Sequence, residues 1–162
     1  MTTRLQVLLT GPVRAEMAAA ATAAAPWETG GLLLGWWEGD QVIVRHAVEV
    51  PDRRATTTSW VRRPRVARKI MHAALQQYNH PLLGYVGDWH IHPERCTASR
   101  RDVQSITETS RQYDEPLVLL VRMPDGSLDV RAAHRGHCRM ATLFADTDGD
   151  RSEPRTTREG KR

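Results

Sequence analysis

Cysteine is scarce in this chain: Cys96 and Cys138 are the two in 162 residues. Two are too few for a disulfide framework, so the core must hold the fold, and a reducing compartment suits it. No run approaches the roughly 20 apolar residues of a membrane-spanning helix, and the N-terminal stretch lacks the pattern of a secretory signal. A cytoplasmic location is therefore expected, with no membrane partner. His134, His137 and Cys138 have no further Cys or His at finger spacing, so they read as surface residues rather than a second metal cluster. There is no internal repeat.

What is present describes one domain. A chain of this length buries about two-thirds of its unfolded surface as a single unit. The pattern predicts a strand over 4–9 and a helix over 13–25, where alanines run from after Pro12 to Pro26. A hairpin follows, from GGLLLGWW through Glu38-Gly39-Asp40 to QVIVRHAVEV. A helix over 63–78 places Val66, Ile70, Ala74 and Tyr78 on one face. Strands LVLLVRM and LDVRAA meet at the turn Pro124-Asp125-Gly126, and a last strand spans Arg139–Phe144. Mixed strands and helices with hairpins give an α/β layer with a largely antiparallel sheet flanked by helices.

The chemistry concentrates in the stretch between. Residues 82–90, LLGYVGDWH, have the composition of a buried strand. Alternation points His90 and His92 to one face and Ile91 to the other, so both imidazoles can reach one ion. Pro93 stops the strand. Ser99 then stands where a helix N-cap belongs, with Asp102 in the first turn, where the macrodipole favours an anion. His90, His92, Asp102 and Ser99 fall within thirteen residues. Each piece is commonplace alone, and Ser-x-x-Asp is an ordinary capping pattern. Together they offer three protein ligands and leave a fourth tetrahedral position open, which is the arrangement of a catalytic rather than a structural zinc. Zinc chemistry also wants an unligated carboxylate to shuttle a proton.

GDWHIHPERCTASRRD resembles the core of the JAMM (MPN+) zinc metalloproteases, in which a distant Glu precedes His-x-His-Pro, a Ser and an Asp. The resemblance covers roughly residues 1–144 and is marked most clearly in bacterial stand-alone members. It implies a cytidine-deaminase-like MPN fold, Zn2+ held by His90, His92 and Asp102, and Glu28 of PWETGGLLLG as the general base that passes water's proton to the leaving amine. Ser99 would help stabilise the oxyanion. Nine residues separate His92 from Asp102, one fewer than is usual in the family. Ala98 replaces a frequent proline, and Ile91 a common Ser or Thr. Ser-x-x-Asp moves with its helix, so the shorter loop still delivers the ligand. Cys96 lies inside this loop, but a fourth protein ligand would close the site.

The same resemblance implies a peptidase or isopeptidase acting after the C-terminal glycine of a ubiquitin-like protein, in maturation or deconjugation. The setting would be a bacterial conjugation or anti-phage system, with its activating and conjugating enzymes as further partners. The alternatives are an amidase of the same fold acting on a sulfur-carrier protein or other peptide, and a non-catalytic MPN-type binding module. The net charge is +4, with clusters at Arg53-Arg54, at Arg62, Arg63, Arg65, Arg68 and Lys69, and at Arg100-Arg101. These clusters suit an acidic partner, a positioned substrate or a solvated face, and nucleic acid is not expected. Trp36, Trp37 and Trp89 are expected to pack, and Trp27 and Trp60 to line a cleft. Residues 145–162 hold almost no apolar side chain and read as a disordered charged tail. Its Asp146-x-Asp148-Gly149-Asp150 lacks the glycine position and closing glutamate of a calcium loop.

Overall fold

The architecture is that of a computed structural model, which describes residues 4–145. The elements are β1 (Gln6–Leu9), α1 (Gly11–Ala24), β2 (Thr29–Glu38), β3 (Gln41–Glu49), α2 (Pro64–Tyr78) and β4 (Gly84–Ile91). They continue with α3 (Arg100–Ser110), β5 (Leu117–Arg122), β6 (Leu128–His134), β7 (His137–Met140) and β8 (Thr142–Ala145). The strands form one mixed sheet in the order β7-β6-β5-β4-β2-β3-β1-β8. Four of its pairings are antiparallel and three, β1 with β3, β1 with β8 and β4 with β5, are parallel. Among the described residues, no helix is long and apolar enough to cross a membrane.

The two outer strands, β7 and β8, are consecutive in sequence and separated by Ala141 alone. The sheet must therefore curl until its opposite edges meet there. Ala141 donates its N–H to Val130 on one edge, and Thr142 donates to Leu5 on the other. The strand expected over Arg139–Phe144 is thus two short strands, because one residue serves as the crossing point. Curling is helped by adjacent bulges, where β2 shifts register against β4 at Leu33/Leu34 and against β3 at Leu34/Gly35. Gly87 sits at the first of these with φ +154°, and a Cβ there would stand 1.9 Å from the Val118 carbonyl oxygen. Only glycine fits.

Each face of the sheet buries one cluster. On one side Val13, Met17 and Ala20 of α1 pack against Val44, Val86, Trp89, Ile91 and Leu120. On the other, Ala67 of α2 and Ile106 of α3 cover Leu32, Leu117, Leu119 and Val121. Trp89 and Ile91 of β4 point to the first side, so by alternation His90 and His92 point to the second, beneath α2 and α3.

Three local expectations shift. Helix α1 opens at Gly11, before Pro12 rather than after it, since proline's fixed φ and missing N–H suit the first helical turn. In α2 the buried positions are Ala67 and Ala74, with Ile70 and Met71 packed beside them. Of the predicted face, Ile70, Ala74 and Tyr78 are at least partly buried while Val66 faces water, and Ala67 takes its place. Strand β8 runs to Ala145, one residue past the expected domain end, and pairs with Leu9. The expected tail and its aspartate motif otherwise lie outside the described residues.

Candidate metal centre

Four segments converge on the C-terminal end of β4. That strand delivers His90 and, just past its last residue, His92, whose N–H donates to the Arg122 carbonyl at 2.9 Å and keeps it in line with β5. Helix α3 delivers Asp102. Ser99 is its N-cap: its Oγ accepts from the Asp102 N–H at 3.1 Å, while the Asp102 carboxylate accepts from the Ser99 N–H at 2.7 Å. This reciprocal capping box fixes the carboxylate's direction. Glu28 stands immediately before β2, its N–H bonded to the Thr56 carbonyl at 2.8 Å. The loop from Val50 to α2 is thereby tied to the start of β2.

The donor geometry fits a small cation. One ligand atom each from His90, His92 and Asp102 lie within 4.8 Å of one another, and this is the one such group among the described residues. His90 Nε2 is 3.4 Å from Asp102 Oδ1, and His92 Nε2 is 3.3 Å from Oδ2. Each imidazole thus faces one oxygen of the same carboxylate, at spacings a single cation can bridge. His90 Nε2 is buried yet makes no hydrogen bond, an arrangement that costs about 1–3 kcal/mol unless a partner takes the lone pair. His92 is oriented from behind, because Nδ1–H donates to the Cys96 carbonyl at 3.0 Å and so turns Nε2 towards Asp102. Two imidazoles and a carboxylate are a donor set suited to zinc.

The electrostatics follow from burial and proximity. Burial holds His90 neutral, with its pKa lowered to about 4 against the pull of Asp102. His92 is raised above its ordinary value, first by its hydrogen bond with Asp102. Burial pushes the Asp102 carboxyl up, but its hydrogen bond with His92, the adjacent His90 imidazole and the Ser99 N–H more than offset it and hold it well below the usual range. Glu28, with Oε1 4.0 Å from His92 Nε2, is raised to about 7 by burial, partly opposed by His92. A carboxyl poised near neutrality can both take and give a proton.

A cleft of about 150 Å³ beside the triad is lined by Glu28, Trp60, His92, Glu94, Ser99 and Asp102 among others. A second pocket of about 150 Å³ lies on the His90 side, against Arg62, Asp88, Ser105 and Ile106. Trp60, Arg101 and Asp102 border both, so the triad sits between two lobes. Trp60 stands edge-on to His90 and anchors its indole N–H on the Val50 carbonyl at 3.0 Å.

Every residue expected at the site from sequence converges here: His90, His92, Asp102, Glu28 and Ser99. Trp60 lines the cleft as expected, whereas Trp27 is exposed and borders neither lobe. Trp36 and Trp89 pack as expected; Trp37 is partly buried. Cys96, read as incidental, contributes its backbone carbonyl to His92. The buried pair of Asp88 with Arg62 was not foreseen. Asp88 accepts from the Tyr85 hydroxyl at 2.9 Å and lies 3.5 Å from Arg62 Nε. The signal for Asp88 was its position two residues before His90, which puts it on the same strand face. His134 is satisfied by the Asp114 carbonyl.

Comparison with known proteins bears on the family and the fold. The family of prokaryotic homologues of the JAB domain matches residues 10–134. The chain is 32% identical over 115 residues to a CD-NTase/cGAS isopeptidase from Enterobacter hormaechei subsp. hoffmannii (strain UCI 50), a match covering 65% of this chain and 62% of that protein. It thus spans about three-fifths of the relative's length. The solution structure of a Desulfitobacterium hafniense protein superposes with a TM-score of 0.56 at 19% identity, over 89% of this chain and 95% of that one, and so shares the fold. With the mixed sheet, the flanking helices and three quarters of the sequence matched, the chain belongs to the prokaryotic homologues of the JAB domain.

Proposed function

We propose that this protein is a zinc-dependent isopeptidase that hydrolyses the bond after the C-terminal glycine of a ubiquitin-like protein or its conjugates, within a bacterial conjugation or defence system. The observation that carries the reading is the placement of the Glu28 carboxylate 4.0 Å from His92 Nε2, beside the cluster of His90, His92 and Asp102 donors. The relative described as a CD-NTase/cGAS isopeptidase supports the choice of an isopeptide over other amides.

Bound by these three residues, zinc would keep a position open and act as a Lewis acid towards water and the scissile carbonyl. The chain's own groups do the rest. Glu28 accepts a proton from the attacking water as the C–O bond forms, then donates it to the amine as the C–N bond breaks. Ser99 Oγ accepts from Asp102 N–H and its hydroxyl faces the Asp102 carboxylate, so to stabilise the oxyanion the O–H turns from that carboxylate to the substrate. The small lobes suit a narrow segment such as paired glycines, held by main-chain contacts.

The test is metal analysis of the purified protein with His92→Ala as control, followed by cleavage of a ubiquitin-like protein fused through its C-terminal glycine. Stoichiometric zinc, lost in the variant, together with cleavage abolished in Glu28→Gln, is the expected result. Zinc-free protein in both cases would overturn the reading and favour a binding module.

A further inference from the structure

Cations flank the segments that line the cleft, and Arg101 lines the cleft itself. The loop between β3 and α2 forms one wall and carries Arg53, Arg54 and Arg63; the turn after β4 and the start of α3 form the other and carry Arg95, Arg100 and Arg101. All six are exposed. Arg63 lies 3.6 Å from Asp52, but among the described residues the other five make no ion pair. From Arg53 to Lys69 there are seven basic residues and no Asp or Glu. On a merely solvated face opposite charges would alternate and pair. Here like charges are gathered on both segments that line one cleft, an arrangement that repels itself and focuses the field outward. Glu94 is an exposed carboxylate set among them, and exposed Asp125 lies near Arg95.

We propose that this rim is a docking surface for an acidic face of the protein substrate, adjoining the segment that enters the cleft; the inference rests on the peptidase reading above. The cations flank both lining segments, so a partner that neutralises both groups lies across the mouth of the cleft. A nucleic acid could span the rim but would leave the cleft between unused. A protein with an acidic surface beside an extended tail uses both. Counter-charge on the partner raises the encounter rate and sets which tail is presented, while the cleft itself recognises little beyond narrow backbone.

The test compares two fluorescent peptides of equal length ending in Gly-Gly, one glutamate-rich and one with glutamine at the same positions, binding to the zinc-loaded full chain. The Glu peptide is expected to bind about tenfold more tightly at about 50 mM salt, and the gap to close at about 300 mM. Arg53→Glu/Arg54→Glu/Arg100→Glu, whose side chains lie outside the lined cleft, removes the gap and leaves Gln-peptide affinity and zinc content unchanged. Equal affinity of the two peptides in the wild type overturns the docking surface. So does tighter binding of a single-stranded DNA oligomer of matched charge, which would make the rim a nucleic-acid surface. Failure of the peptidase reading shows separately, as absence of zinc or of cleavage of the ubiquitin-like fusion whatever the peptides do.

Discussion

Trp60 and His90 meet edge to face, with ring centroids 5.6 Å apart and planes at 83°. The indole reaches this position because Gly30 lies beneath it: a Cβ there would stand 2.9 Å from the Trp60 ring and 2.5 Å from the Trp89 carbonyl. A residue without a side chain on β2 thus sets how closely the loop between β3 and α2 can approach a metal-facing imidazole. Trp60→Ala should loosen His90 and weaken zinc binding about tenfold, as loss of supporting contacts around a metal typically does. Gly30→Ala should act on the same quantity from the other side and destabilise by about 1–3 kcal/mol through overpacking. Chelator competition measures the first effect and denaturant unfolding the second.

Zinc should stabilise the folded chain. Because His90 Nε2 is buried without a hydrogen bond, a cation removes a standing cost as well as binding. At about a hundredfold excess over Kd the gain is about 2.7 kcal/mol. Chelation should lower Tm by several degrees, zinc should restore it, and His92→Ala should not respond. A Tm indifferent to zinc in the wild type would refute this.

Glu28→Gln should retain zinc and lose activity by about 10²–10⁴-fold, the usual worth of a positioned acid–base group. The amide is nearly isosteric and leaves the Glu28 N–H bond to Thr56 intact. Turnover of the ubiquitin-like fusion, read beside metal content, separates lost proton transfer from lost metal.

Away from the site, Glu16 of α1 faces His46 of β3 at 3.4 Å. Burial raises the Glu16 carboxyl from 4.5 to about 7 and lowers His46, which stays neutral and offers no compensating charge. The folded state therefore binds the Glu16 proton more tightly than the unfolded state does. That contribution is full below about pH 4.5 and lost as pH rises through about 7. Glu16→Gln should match wild type in acid and be more stable by about 1 kcal/mol at pH 8, partial exposure screening the rest. Thermal melts across that range decide it, and parallel curves would contradict the assignment.

The site was legible in the sequence because its ligands obey local rules. Strand alternation places His90 and His92 together, and a capping box aims Asp102, so both follow from neighbours in the chain. Glu28 was found through resemblance, since nothing near it in sequence indicates that β2 will lie against β4. Trp60 and the Asp88–Arg62 pair were harder for the same reason: their partners come from separate elements brought together by packing. The division of the last strand at Ala141 has no local signature at all. It depends on how far the sheet curls, which the bulges around Leu34 and the glycine at 87 decide jointly.

That meeting of edges also shapes how the chain folds. Arg4 bonds the Met140 carbonyl across 136 positions, and β1 finds its outer neighbour only in β8. Contacts of such sequence separation form late, after the loop-closure entropy between them has been met. While the protein is being synthesised, β1 can pair with β3 but must wait for nearly the whole described chain before its other edge is covered. Strand β4, held between β2 and β5, and the histidines it carries can be in place well before the ring of strands is joined.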